Sequence, residues 1–109
     1  MKVFLSHAMH GISEEEILKL REEATEYLKK HYGDREIEII DNYHHDDAPE
    51  GAGRLWHLGR SIQMMGDADL VVFWGKGGDR ANGVLVEDRV CRLYGIPHIY
   101  LVGDNMYNI

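Results

Sequence analysis

Glu87 is the residue whose type and position best suit it to chemistry. It lies about one turn inside a helix predicted over Gly83–Tyr94, with Asn82 as the N-cap. Backbone dipoles near a helix N-terminus favour the ionised form of a carboxylate, and a nucleophile at a sugar anomeric carbon must be ionised. The alternative is that Glu87 only complements the helix dipole from the protein surface.

A glycine-rich segment, Gly75–Gly78, lies between the predicted strand Leu70–Trp74 and this helix. It lacks the spacing G-x-x-x-x-G-K-[ST] and follows the third strand instead of the first, so it is not a phosphate-binding loop of that type. One interpretation is that its backbone N–H groups, with Lys76 or Arg80, contact a ligand. The other is a flexible connection whose glycines only let the backbone turn.

A second polar segment, Ser6–Gly11, follows the first predicted strand, Lys2–Leu5. Ligands of open α/β sheets bind beyond the carboxyl ends of the strands, so this segment is expected at the same rim as Glu87. Its backbone N–H groups are suited to a sugar or a phosphate. The alternative is an ordinary loop between a strand and a helix.

The polar segment Asp41–Gly51 follows the second predicted strand, Ile37–Ile40, and is too long for a tight turn. Loops of this kind line sites or are simply mobile. Four adjacent side chains in it are of metal-ligand type, namely His44, His45, Asp46 and Asp47. Adjacent residues point apart and match no standard zinc spacing, so we expect no metal site here.

Strand and helix patterns alternate along the chain. The four predicted strands are Lys2–Leu5, Ile37–Ile40, Leu70–Trp74 and His98–Val102. The first helix begins after Ser13, which forms a capping box with Glu16, and it ends at Gly33. The second helix carries apolar residues at steps of three and four, namely Leu55, Leu58, Ile62 and Met65. This order predicts one α/β domain over residues 1–109, a small doubly wound parallel sheet of Rossmann-like or flavodoxin-like type with strand order 2-1-3-4.

Net charge, the length of apolar runs and cysteine content narrow the class of protein. The formal net charge of −7 comes from 12 basic and 19 acidic residues, which disfavours a binder of nucleic-acid polymers because phosphate neutralisation requires a basic face. No apolar run approaches the ~18 residues that a membrane span needs. Cys91 is the only cysteine, so it cannot form an intrachain disulfide, and we expect it to be packed rather than reactive. We therefore expect a cytoplasmic protein without a membrane partner.

Four segments resemble the nucleoside 2-deoxyribosyltransferase family, including its deoxynucleoside-monophosphate N-glycosidase branch. They are VFLSHAMHG, DADLVVFWGKGGDRANGVLVE, YGIPHIYLV and GDNMYNI. The segment VFLSHAMHG resembles the family's substrate loop. The longest segment resembles the family's buried strand, loop and G-x-x-x-E motif, in which Gly83 and Glu87 match the glycine and the nucleophilic glutamate. The segment GDNMYNI is similar to one whose asparagine, here Asn105, completes the site of a neighbouring subunit.

The resemblance implies cleavage or transfer at the N-glycosidic bond of a 2-deoxyribonucleoside or its 5′-monophosphate, with Glu87 as the catalytic residue. The tail Gly103–Ile109 interleaves the apolar residues Met106, Tyr107 and Ile109 with the amides of Asn105 and Asn108, which favours docking on a second copy in a homodimer or larger assembly. The alternative is a frayed chain terminus. We expect neither a cofactor nor a metal. The resemblance and the predicted rim together give a set of candidate substrate-binding residues. They are Ser6, His7, Gly11, Asp46, Asp47, Ser61, Asp79, Gly83 and Asn105.

One position departs from the family pattern. The family places a catalytic aspartate eight residues before the aspartate that opens the central strand, and here that count from Asp69 gives Ser61. Serine cannot supply a carboxylic acid to protonate or orient the base. Either another acid substitutes (Asp79, Asp46 or Asp47), or the protein is a non-catalytic nucleotide-binding or regulatory module. A purely structural α/β partner protein is a third interpretation.

Overall fold

The computed structural model of the protein describes residues 1–7, 11–33, 36–74, 82–102 and 105–107. Its elements in chain order are β1 (Lys2–Ser6), α1 (Glu14–Tyr32), β2 (Glu38–Ile39), α2 (Arg54–Met65), β3 (Leu70–Trp74), α3 (Asn82–Tyr94), β4 (His98–Val102) and β5 (Asn105–Tyr107). Every predicted strand and helix is present, and β3 and β4 begin and end at the predicted residues.

The strands form one sheet in the order β2-β1-β3-β4-β5. The first four are parallel, which confirms the predicted doubly wound α/β fold and the strand order 2-1-3-4. Asp69 ties the start of β3 to the start of β1. Its carboxylate accepts a 2.7 Å hydrogen bond from the Lys2 N–H, and its own N–H donates to the Lys2 carbonyl at 2.8 Å.

Both edges of the sheet differ from the prediction. β2 contains only two residues, and Ile37 and Ile40, which were predicted to belong to it, flank it. Among the described residues only β1 pairs with β2. The Ile40 N–H extends the parallel backbone hydrogen bonding by one residue, with a 2.9 Å bond to the Val3 carbonyl. On the opposite edge, Asn105–Tyr107 forms an antiparallel strand with β4 that the sequence pattern did not predict.

Helices cover both faces of the sheet, and the side chains of β3 alternate between them. The apolar cluster on the α1 face contains Val3, Leu5, Ala24, Leu28, Leu70, Val72, Trp74, Ile99 and Leu101. The cluster on the face of α2 and α3 contains Phe4, Met65, Val71, Phe73 and Cys91. All five residues of β3 are buried, as expected for a central strand covered on both sides. This packing holds the carboxyl ends of β1 and β3 beside the N-terminal ends of α2 and α3.

α1 is capped by Ser13 and ends at Gly33, as predicted, although only the Ser13 half of the predicted capping box is observed among the described residues. The Ser13 hydroxyl accepts a 3.2 Å hydrogen bond from the Glu16 N–H, so one of the unpaired amides of the first turn is satisfied. At the other end Gly33 has φ of +64°, which glycine adopts without the steric penalty that a Cβ would bring. The start of α2 differs, because Gly53 at its N-cap has no side chain to satisfy the first amides.

Candidate active site

A cleft opens at the carboxyl ends of the strands, between the N-terminal halves of α2 and α3. Its volume is about 390 Å³. The strand ends and the loop after β2 contribute His7, Asn42, Tyr43 and His45. The two helices contribute Arg54, His57, Ser61, Gly83 and Glu87. The cleft therefore lies where open α/β sheets bind their ligands. Residues 75–81, with the contacts predicted for Lys76 and Arg80, lie outside the described residues.

Glu87 reaches from α3 to the end of β1. Its Oε1 accepts a 2.7 Å hydrogen bond from the Ser6 hydroxyl. Both side chains are buried, with Glu87 7% exposed and Ser6 1% exposed. The two residues are 81 positions apart in the chain, so the parallel pairing of β1 with β3 is what allows the contact. Two residues predicted for the site are therefore in direct contact.

Burial changes the protonation of Glu87 in the direction opposite to that expected from the helix dipole. Desolvation raises the pKa of Glu87 to about 7, and the hydrogen bond from Ser6 offsets only part of this effect. The dipole acts mainly within the first turn of a helix, whereas Glu87 is the sixth residue of α3. The expectation of a carboxylate kept ionised by the dipole is therefore wrong. At neutral pH Glu87 populates both forms, and its ionised form is more basic than an exposed carboxylate.

Gly83 lies one helical turn before Glu87 and leaves space in the cleft. A Cβ at this position would lie 3.8 Å from Leu58 Cδ1, which is an ordinary van der Waals contact. Packing of α3 against α2 therefore does not itself require glycine. The missing side chain matters instead for the cleft, because Gly83 is part of its wall beside Glu87.

Arg21 connects the ends of β1 and β2 from within α1. It is only 9% exposed, and its guanidinium donates to the Ile40 carbonyl at 3.0 Å and to Asn42 Oδ1 at 2.8 Å. Asn42 in turn donates to the Leu5 carbonyl at 3.0 Å. The guanidinium also lies 3.1 Å from His7 Nε2. Since a guanidinium only donates, Nε2 must accept, and a neutral His7 carries its ring hydrogen on Nδ1.

This network fixes two side chains at the wall of the cleft, His7 and Asn42. Desolvation lowers the pKa of Arg21, and the charge of Asp41 opposes the shift. Among the described residues the guanidinium contacts neutral acceptors rather than a carboxylate. Arg21 therefore acts as a buried multi-point donor that joins α1 to both strand ends.

His45 and His57 form a pair on another wall of the cleft. Their Nδ1 atoms are 2.8 Å apart, and Trp56 packs edge-on against both rings. Desolvation, followed by the nearby His57, lowers the pKa of His45. The pair joins the loop after β2 to the first turns of α2 and brings two titratable rings into the same cleft as Glu87.

The other predicted residues are divided between the cleft and its surroundings. Ser61 lines the cleft, as do His7 and Gly83. Asp46 and Asp47 are exposed and are not part of its wall, and Asp47 forms a 2.8 Å ion pair with Arg60. Gly11 also lies outside the lining residues. Asp79 and the side chain of Asn105 lie outside the described part of the chain.

Sequence reasoning missed Arg21, Asn42 and His57. The buried residues of α1 are Ile17, Arg21, Ala24 and Leu28. Their spacing of four, three and four places an arginine inside an apolar stripe, which is the pattern that predicts a buried and hydrogen-bonded guanidinium. His57 precedes Ser61 by one turn, so it shares a helix face with a residue already assigned to the site.

Metal-binding and membrane-spanning features are absent from residues 1–7, 11–33, 36–74, 82–102 and 105–107. Within these ranges no group of three His, Cys, Asp or Glu side chains is arranged to hold a metal ion. None of the helices there has the length and apolar character needed to cross a membrane. Carboxyl, hydroxyl and imidazole groups line the cleft itself.

Comparisons with known proteins assign no function to the cleft. Neither models of protein families, nor curated proteins, nor solved structures gave a match to the chain. A functional proposal therefore rests on the geometry of the cleft residues and on the resemblance carried by the four sequence segments.

Proposed function

We propose that the protein cleaves or transfers the N-glycosidic bond of a 2-deoxyribonucleoside or its 5′-monophosphate, with Glu87 as the nucleophile. The observation that carries this proposal is the buried contact between Ser6 and Glu87 at the wall of the cleft. The surface interpretation of Glu87 is not supported, because the side chain is only 7% exposed. The resemblance to the nucleoside 2-deoxyribosyltransferase family supplies the substrate class.

The hydrogen bond from Ser6 gives the two carboxylate oxygens different roles. Ser6 occupies Oε1, and we assign Oε2 to the attack on C1′. The C1′–N bond breaks through an oxocarbenium-like transition state, and a glycosyl-enzyme forms. Water then completes hydrolysis, or a second base completes transfer. The raised pKa of Glu87 makes the ionised oxygen more basic, and the rate of attack increases as this group loses its proton.

A second candidate is a nucleotide-binding module of the same fold that carries out no chemistry. The position of Ser61 favours this candidate, because it lines the cleft where the family has an aspartate and provides no carboxylic acid. Asp46 and Asp47, two acids suggested as substitutes, do not line the cleft. Under this candidate the cleft binds a nucleotide and leaves its N-glycosidic bond intact.

We also propose a homodimer or larger assembly through α2 and α3. Several large apolar side chains of these helices are exposed, namely Leu55 (82%), Leu85 (50%), Val86 (39%), Leu93 (65%) and Tyr94 (77%). Such side chains are costly to leave in water, and a symmetric contact between two copies covers them. The strand β5 pairs with β4 of its own chain through the backbone, and we propose that Asn105 lies near the neighbour's cleft in the assembly.

Release of free base from a panel of deoxynucleosides and their 5′-monophosphates, followed by chromatography, tests the proposed function. We expect release by the wild type and by Glu22→Gln, which makes the same change on the exposed face of α1. Glu87→Gln keeps the shape of the side chain but removes the nucleophile, so release should fall by several orders of magnitude. Near-native release by Glu87→Gln would contradict the assignment. Tight binding of a nucleotide without release by wild type would favour the binding module.

A further inference from the structure

His45 and His57 share a hydrogen bond in the cleft that also contains Glu87. Their ring centroids are 5.0 Å apart, and their ring planes differ by only 15°. His57 precedes Ser61 by one turn of α2, so it lies on the same helix face as the position where the related family has a catalytic aspartate. A departing base needs a proton, and these two rings are titratable groups at the wall where that proton is required.

The hydrogen bond between the two Nδ1 atoms makes the two rings unequal, because only one of them can carry the shared proton. At 2.8 Å one Nδ1 must donate and the other must accept. Burial lowers the pKa of His45, which favours His45 as the neutral ring that accepts the hydrogen bond. Within the described residues, His45 Nε2 is buried without a partner, whereas the ring of His57 makes its hydrogen bond through Nδ1. The Nε2–H of His57 is therefore the group that a ligand in the cleft can meet.

We propose that His57 donates a proton to the departing base and that His45 is the positioning residue that orients it. This inference rests on the proposed function. As the C1′–N bond breaks, its electron pair moves to the base nitrogen, which takes the proton from His57 Nε2, while Glu87 forms the new C–O bond. His57 is left neutral with its Nδ1–H bonded to His45. It regains a proton from the water or second base that attacks the glycosyl-enzyme.

Several charged and titratable groups surround the pair, and Glu87 among them gives the proposed reaction a pH dependence. The charged and titratable groups that face the pair or share its cleft are Asp47, Arg60, Arg54, His7 and Glu87. Asp47 and Arg60 act on His45 with opposite signs and are paired with each other. The rate should rise with pH as Glu87 loses its proton near pH 7.

The test compares His57→Gln with wild type on two leaving groups. One substrate is the deoxynucleoside or monophosphate that wild type turns over fastest, and the other is 4-nitrophenyl 2-deoxyribofuranoside, whose nitrophenolate departs without protonation. We expect kcat/KM to fall by about 10²-fold or more on the first and by less than about threefold on the second. His31→Gln, the same change on an exposed part of α1, should keep wild-type rates.

The positioning role of His45 has its own test. His45→Leu should reproduce the loss that depends on the leaving group, and His45→Asn, whose amide oxygen accepts from the His57 Nδ1–H, should restore most of the rate. Equal losses by His57→Gln on both substrates would overturn the assignment of His57. A wild-type protein that releases neither base nor nitrophenolate would overturn the proposed function itself, and the role of His57 with it.

Discussion

Glu87→Gln should make the folded protein more stable at alkaline pH while it removes the proposed nucleophile. The wild-type carboxyl is buried, and ionising it in that environment costs free energy that a neutral amide does not incur. The amide oxygen of glutamine can still accept the hydrogen bond from the Ser6 hydroxyl. The substitution therefore changes the charge at a constant shape.

The size of the effect follows from the pKa shift of Glu87. Its pKa is about 7 in the folded protein against an ordinary value of 4.5, so the folded state binds this proton more tightly than the unfolded state. The contribution of Glu87 to stability is therefore present below pH 4.5 and is lost as the pH rises to about 7. With about 1.4 kcal/mol for each pKa unit, the full loss is about 3 kcal/mol.

Urea unfolding at pH 5 and at pH 8 measures this effect. The stability of Glu87→Gln relative to wild type should increase by about 2–3 kcal/mol between these two pH values. Glu22→Gln serves as the matched control, because the same change on an exposed part of α1 relieves no desolvation and its relative stability should stay constant. A relative stability of Glu87→Gln that does not change with pH would show that the carboxyl ionises without the burial cost, and would refute the reasoning.

Three further predictions concern the fold and its assembly. Arg21→Met leaves two buried acceptors and one partly buried acceptor without their donor and should lower the free energy of unfolding by about 3–5 kcal/mol in urea, whereas the exposed Arg89→Met should change it by less than about 0.5 kcal/mol. Equal effects of the two variants would contradict the structural role of Arg21. Burial raises the pKa of Cys91 to about 11, so an alkylating reagent at pH 8 should modify it only after unfolding, and rapid labelling of the folded protein would contradict its packing. Sedimentation should show a dimer or larger species for the full chain and a loss of assembly or activity in a protein that ends at Val102. A strictly monomeric full chain whose activity survives the truncation would refute the assembly and the role of Asn105.

The sequence was sufficient to predict the core of the fold. The unbroken apolar run Leu70–Trp74 has the length and the β-branched content of a buried parallel strand, and the structure gives it the same bounds. The edges were harder, because a strand with a single neighbour depends on few contacts. β2 is shorter than the isoleucines around it suggest, and β5 forms from three residues without an alternating pattern.

The candidate site could be predicted only as far as topology determines it. Parallel strands bring the end of β1 to the start of α3, so the proximity of Ser6 and Glu87 follows from the fold. Hydrogen bonds made by loop residues do not follow in this way. The contact between His45 and His57 depends on the path of residues 41–51, which no local periodicity encodes. The pKa of Glu87 depends on burial, which outweighs the helix dipole that the sequence makes visible.

The proposed covalent intermediate at Glu87 is the central claim, and mass spectrometry of the protein during turnover tests it most directly. Wild type quenched in acid soon after mixing with its fastest substrate should gain the mass of one deoxyribosyl group, or of its 5-phosphate. Peptide mapping should locate that mass on Glu87. Glu87→Gln should gain no such mass under the same conditions, and Glu22→Gln should match wild type. Base release by wild type with the adduct on another residue, or an adduct that persists in Glu87→Gln, would contradict the account.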